Sequence, residues 1–173
     1  MDFIDAVCTR LCRTFSREEA EDLLAGTQHL SVGAGAVLRR EGEVADGLYF
    51  LFEGKVAVER GRPDAPPTRL AEVEAPTFLG ELSLVVGGAV TATVRALTEC
   101  RVRILVRSDF EQRLADNDLV GYKLLGAIAE VLAHRVLRLN NTLVDLSSPR
   151  AASEAAPNDL ARFRTKLFSE WSF

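Results

Sequence analysis

The spacing of apolar positions changes twice along the chain. At the start it is helical: Phe3, Ile4, Val7 and Leu11 fall on one face. Ser16-Arg17-Glu18-Glu19 has the form of a capping box, and predicts a second helix that carries Leu23 and Leu24 and stops at Gly26. From His29 to Arg107 the period shortens to two. Leu30 and Val32, Val37 and the segments 48–52, 56–58, 70–73, 90–94 and 102–106 predict short strands. Gly33, Gly35, Gly42, Gly47, Gly54, Gly61 and the stretch from Pro63 to Pro67 punctuate them as turns. Arg101 and Arg103 alternate with Val102 and Ile104, which predicts a solvated strand face for the two arginines. The pattern predicts an α+β fold built on an eight-stranded antiparallel β-barrel of jelly-roll type.

After Ser108 the helical period returns. Ser108-Asp109-Phe110-Glu111 predicts another capping box and a short helix ending near Leu114. A long helix is expected from about Asn117 to Leu146. Leu125, Leu132, Leu139 and Leu146 stand seven apart, and with Tyr122, Ala129, Val136 and Leu143 they form an a/d seam. Such a seam is the mark of a parallel coiled coil and predicts a homodimer. The alternative is a helix laid along its own barrel, which calls for a wider apolar stripe. Asn140 and Asn141 sit off the seam. Residues 147–157 are rich in Ser, Ala and Pro and predict a linker. Asn158 is placed to cap a last helix with Leu160, Phe163, Leu167 and Trp171 on one face and Phe168 beside them. That face must be covered by the chain's own domain, by a partner's groove or by a membrane surface. The expected organisation is N-terminal helices over 1–27, the barrel over 28–107, the short and long helices over 108–146, and the linker with its amphipathic helix over 147–173.

Composition narrows the class. With 47% apolar and 27% charged residues in 173, the chain is neither disordered, collagen-like nor a disulfide miniprotein. A domain of this size buries roughly 70% of its unfolded surface. Net charge is −4 and Lys and Arg are scattered, so no basic stripe points to nucleic acid. No apolar run approaches the ~20 residues of a membrane helix. The opening MDFIDAVCTR is acidic where a signal peptide is basic, and the cysteines number three; both predict a cytoplasmic protein. The two histidines, His29 and His134, lie far apart in sequence. Cys8 and Cys12 share a helix face, with Cys100 the third thiol, and core positions suit them better than a metal. No nucleophile elbow, P-loop or HExxH motif occurs, so the expectation is a protein without catalytic activity, metal or cofactor.

The informative stretch is TFLGELSLVVGGAVTATVRA, residues 77–96. Gly80-Glu81-Leu82 follows a strand and opens a short apolar turn, whose backbone N–H groups form a nest for an anion. Glu81 at its mouth can accept a hydrogen bond from a sugar hydroxyl. This stretch resembles the phosphate-binding cassette of the cyclic-nucleotide-binding domain family, which includes protein kinase A regulatory subunits, cyclic-nucleotide-gated channels and bacterial catabolite activators. Upstream, EGEVADGLYFLFEGKV over 41–56 is similar to the family's barrel signature of EG, GD, a tyrosine-centred strand and G-x-V. The resemblance covers about 10–146.

It implies roles residue by residue. Gly80 and Glu81 match the Gly-Glu pair whose carboxylate binds the ribose 2′-hydroxyl. Leu82 and Ser83 match positions whose backbone approaches sugar and phosphate, and Ala92, Thr93 and Val94 match the strand end below the purine. Ten residues after Gly80, where the family has an arginine on the cyclic phosphate, this chain has Val90, followed by Thr91. Arginine offers a charged fork suited to phosphate and valine offers nothing. A missing partner in a buried ion pair costs about 3–5 kcal/mol. At 1.4 kcal/mol per decade, micromolar binding falls to about millimolar. Arg95 is expected on the surface and supplies no substitute. The pocket expected from Gly80, Glu81, Leu82, Ser83, Val90, Thr91 and Ala92 is therefore degenerate. These features predict a stand-alone, dimeric, non-catalytic regulatory or interaction module, without tight binding of cyclic AMP or cyclic GMP, that offers its tail to a protein partner. The alternative is a small-molecule sensor that binds a cyclic nucleotide or related ligand and signals through the C-terminal helices. A DNA reader is not expected, because the segment after Leu146 holds one predicted helix rather than a helix-turn-helix.

Overall fold

Ser16 starts the first well-formed helix by the reciprocal bonds its sequence promises. Its hydroxyl accepts from the Glu19 N–H at 3.2 Å, and the Glu19 carboxylate accepts from the Ser16 N–H at 2.8 Å. The computed structural model describes residues 2–62 and 65–147. The predicted final helix, with Leu160, Phe163, Leu167, Phe168 and Trp171, lies outside the described residues. Before the Ser16 cap, α1 (Phe3–Ala6) widens into a π-helical turn (Val7–Leu11); α2 (Arg17–Ala25) follows. Then come β1 (Gln28–Val32), β2 (Val37–Arg39), β3 (Gly47–Glu53), β4 (Lys55–Arg62), β5 (Ala65–Glu74) and β6 (Thr77–Leu79). The short helix α3 (Glu81–Val86) precedes β7 (Thr93–Ala96) and β8 (Cys100–Val106), and α4 (Arg107–Ala115) and α5 (Leu119–Ser147) close the described chain.

The strands do not close into the predicted barrel. They form two four-stranded antiparallel sheets, ordered β1-β8-β3-β6 and β2-β7-β4-β5. One of the crossings between the sheets is at Gly54, between β3 and β4. Its φ of +97° and the approach of Glu99 O to within 2.4 Å of where a Cβ would stand make a corner that only glycine can turn. The chain leaves one sheet there and enters the other.

β3 shows how the two sheets and the helices share a core. Leu48, Phe50 and Phe52 face the helices and join Val7, Leu23, Leu24, Phe110, Leu124 and Ile128. Tyr49 and Leu51 face between the sheets, with Val56, Val73, Val94 and Val102. A strand with both faces covered is apolar throughout, as LYFLF is. Full burial of each such side chain stabilises by about 1.5–3 kcal/mol.

Several boundaries differ from the sequence expectation. β7 begins at Thr93, so Val90 belongs to a loop rather than to the strand predicted over 90–94. α4 begins at Arg107 behind Val106, with no side-chain cap. The predicted box at Ser108 is absent because β8 runs directly into the helix, the Arg107 N–H being held by the Asp46 carbonyl at 2.7 Å. α5 begins at Leu119 rather than near Asn117. Asn117 takes a positive φ of 57°, and the Asp118 carboxylate accepts the Val120 N–H at 3.0 Å. The face expected to be solvated at Arg101 and Arg103 is partly covered, since Phe3 lies under both guanidinium groups at 4.8 and 6.0 Å.

The predicted seam on α5 is split. Val120, Leu124 and Ile128, none of them on the seam, are buried in the domain's own core. Leu125 and Leu132 lean on that core as well. Tyr122, Ala129 and Val136 remain exposed. The side chains of Leu139, Leu143 and Leu146 lie outside the described residues. Leucines seven apart and a second stripe displaced by one residue share this helix, and the domain claims the edge between them.

Candidate ligand pocket

The cassette is built around backbone that only glycine can supply. β6 ends at Gly80, with φ +86°, and a Cβ there would meet Gly47 O at 2.9 Å. α3 then turns for six residues and ends at Gly87. The Leu84 N–H donates to Gly80 O at 2.8 Å and the Gly87 N–H to Ser83 O at 2.9 Å. Arg107 supports the far end of this turn: its Nη1 donates to Ser83 O at 3.1 Å, while its Nε donates to Glu111 at 2.6 Å. A cation is favourable beside carbonyls that end a helix.

The loop after α3 is laced to the loop before β3. Gly42 N–H donates to Val90 O at 2.9 Å, Val90 N–H to Glu43 O at 2.8 Å and Ala45 N–H to Gly88 O at 3.1 Å. Val44 and Ala89 form a bridge between them. Val90 is half-buried in this ladder, Thr91 is exposed and Ala92 is half-buried. Thr93 Oγ1 accepts from the Glu41 N–H at 3.0 Å. Of the predicted pocket residues, Glu81 and Ser83 are buried and Leu82 is turned outward.

Glu81 is only 4% exposed, and its carboxylate is joined to the Arg135 guanidinium from α5. The group that the resemblance assigns to a sugar hydroxyl thus already has a cationic partner from the protein. Sequence reasoning missed Arg135. The signal was its place on the buried stripe of α5, since Leu124, Ile128, Val131 and Arg135 advance by four, three and four.

A second cation was also missed. Arg39, at the end of β2, donates through Nη1 to Asp46 at 2.7 Å and to the Tyr49 hydroxyl at 3.0 Å, and through Nη2 to Val44 O at 2.6 Å. Its guanidinium lies 5.3 Å from the Tyr49 ring centroid. The Tyr49 hydroxyl donates in turn to Asp46 at 3.0 Å, and burial pushes its pKa up to about 12. Arg95 is engaged elsewhere, with Glu59 at 3.2 Å and Gly35 O at 3.0 Å.

This two-sheet fold, with a Gly-Glu turn between β6 and β7 and a long helix packed behind it, defines a class. The chain belongs to the cyclic nucleotide-binding domain family, whose model matches residues 29–117. Among relatives, a CRP-like cAMP-activated global transcriptional regulator of Mycobacterium tuberculosis is 34% identical over 112 residues, 65% of this chain and 48% of the relative. A cyclic nucleotide-gated potassium channel of Rhizobium etli is 42% identical over 80 residues, 46% of this chain and 21% of the channel. The crystal structure of the N-terminal domain of a transcriptional regulator from Streptomyces coelicolor A3(2) superposes with a TM-score of 0.65 at 32% identity, covering 86% of this chain and 97% of that one. The chain spans about half the length of the mycobacterial regulator and about a fifth of the channel.

Proposed function

We propose that this protein is a non-catalytic regulatory and interaction module of the cyclic nucleotide-binding domain family whose pocket has lost tight affinity for cyclic AMP and cyclic GMP. The observation that carries the reading is Val90, an uncharged side chain where the family places its phosphate-binding arginine. The Glu81–Arg135 pair supports it, because a ribose hydroxyl must compete with a guanidinium for the same buried carboxylate. Calorimetric titration with each nucleotide at tens of micromolar tests the reading. No heat of binding is expected, and submicromolar affinity overturns it.

In the same reading the module is a cytoplasmic homodimer that engages a protein partner and does not read DNA through the residues present here. Among the described residues, the seam positions left exposed for a second copy are Tyr122, Ala129 and Val136, with Leu119 and Leu137 exposed alongside. Relatives that are a transcriptional regulator and a channel support a regulatory rather than an enzymatic role. The sensor reading draws on Arg39, which keeps a guanidinium beside the cassette although Val90 supplies none.

A further inference from the structure

α3 keeps its polar residues inside and its aliphatic residues outside. Glu81, Ser83 and Leu84 are buried, whereas Leu82, Val85 and Val86 are exposed at i, i+3 and i+4. Val86 is 74% exposed. On the loop laced to this turn, Val44 is 81% exposed and bridges to Ala89, three residues beyond Val86. Four aliphatic side chains therefore stand in water around Gly87 and Gly88. Single exposed aliphatic residues are ordinary, but a cluster on two adjoining segments marks a contact surface.

The chain itself carries a segment of matching chemistry and sufficient reach. The Glu81–Arg135 pair fixes α5 beside α3 at Arg135. From Arg135 to Ser147 the helix advances roughly 18 Å. The linker residues 148–157 span up to about 33 Å when extended, enough to return. Beyond them, Leu160, Phe163, Leu167 and Trp171 are spaced to share one face of a helix, and Arg162, Arg164 and Lys166 are basic. On the loop 41–46 beside the lip, Glu41 is paired with Arg60 at 3.6 Å and Asp46 with Arg39 at 2.7 Å, so Glu43 is the acidic group left to complement the tail's basic residues. We infer that residues 158–171 fold back as an amphipathic helix onto the lip formed by Val44, Leu82, Val85 and Val86 of the same chain, so that a protein partner gains the tail only by displacing it. This inference goes beyond the proposed function and holds whatever the pocket binds.

Trp171 is the single tryptophan of the chain and reports its own burial. In the full-length protein its emission is expected to be blue-shifted and protected from acrylamide. Val44→Glu combined with Val86→Glu is expected to shift it to the red and remove the protection, with the far-ultraviolet circular dichroism unchanged because both positions face water. Solvent-like emission in the unaltered protein overturns the inference, as does emission that the two substitutions leave unmoved. The doubly substituted chain is also unfolded and refolded together with a Trp171→Phe chain whose lip is intact. Emission that stays red assigns lip and tail to one chain; recovery of the blue shift places the tail on a second copy and overturns the inference.

Discussion

Arg135 and Glu81, 54 residues apart in sequence, meet as an ion pair between α5 and the cassette turn, with both side chains largely withdrawn from water. The contact joins the element that would sense a ligand to the helix that would carry a signal. Removing one partner leaves an uncompensated buried charge at a cost of about 3–5 kcal/mol. Arg135→Met is therefore expected to destabilise the protein strongly in urea denaturation. Arg135→Met combined with Glu81→Gln should recover part of the loss. Additive single effects would show that the two groups do not couple.

Val90→Arg tests whether the cassette backbone still accommodates a phosphate. The Gly80 turn and the ladder from Gly42 to Ala45 are held by backbone hydrogen bonds of the protein itself. One well-placed charged hydrogen bond contributes about 1.5–3 kcal/mol. An affinity gain of at least about tenfold for cyclic AMP is expected by calorimetry. No gain would place the defect in the Glu81–Arg135 pair instead, and Val90→Arg with Arg135→Met should then bind.

The split of the α5 seam gives opposite expectations for neighbouring residues. Tyr122→Asp with Val136→Asp alters exposed positions and is expected to give monomers in light scattering with little loss of stability. Leu124→Ala empties a fully buried site and should cost about 2–5 kcal/mol without changing the oligomeric state of the folded fraction. Monomeric behaviour of the unaltered protein at micromolar concentration rejects the dimer.

Alkaline pH should weaken the fold by a known route. Burial raises the Tyr49 hydroxyl from 10.0 to about 12 and the Cys12 thiol from 9.0 to about 12. Both groups are favoured in their neutral form in the native state, so their contribution is complete below pH 9. It is lost as pH rises towards about 12, because the unfolded chain gives up these protons first. Tyr49→Phe should flatten the decline between 10 and 12, and Cys12→Ala the part that begins near 9. Urea titrations at stepped pH measure both, and unchanged slopes in the two variants would contradict the assignment.

Local signals proved the most legible. The Ser16 box, the stop at Gly26, the buried run of β3 and the Gly80-Glu81 turn each depend on residues close in sequence, and each can be read from a few neighbours. Nothing next to Arg39 distinguishes a guanidinium aimed inward from one in water, and although the stripe of α5 points Arg135 inward, only the fold supplies Asp46 and Glu81 as partners. The closed barrel failed as an expectation for a related reason. Period-two spacing gives the strands, but which sheet each strand joins is set by the connections, of which the corner at Gly54 is one.

The order of strands in the two sheets sets a timetable for the nascent chain. β7 lies between β2 and β4, and β8 between β1 and β3, so the strands synthesised last are central ones. Until residues 93–106 emerge from the ribosome, β1 and β2 have no neighbour, and the β4–β5 hairpin and the β3–β6 pair cannot be joined to them. Contacts of such long sequence separation form slowly. Meanwhile the apolar run of β3 waits uncovered, which makes the interval before β8 is complete the moment at which this protein is most exposed to aggregation and most in need of a chaperone.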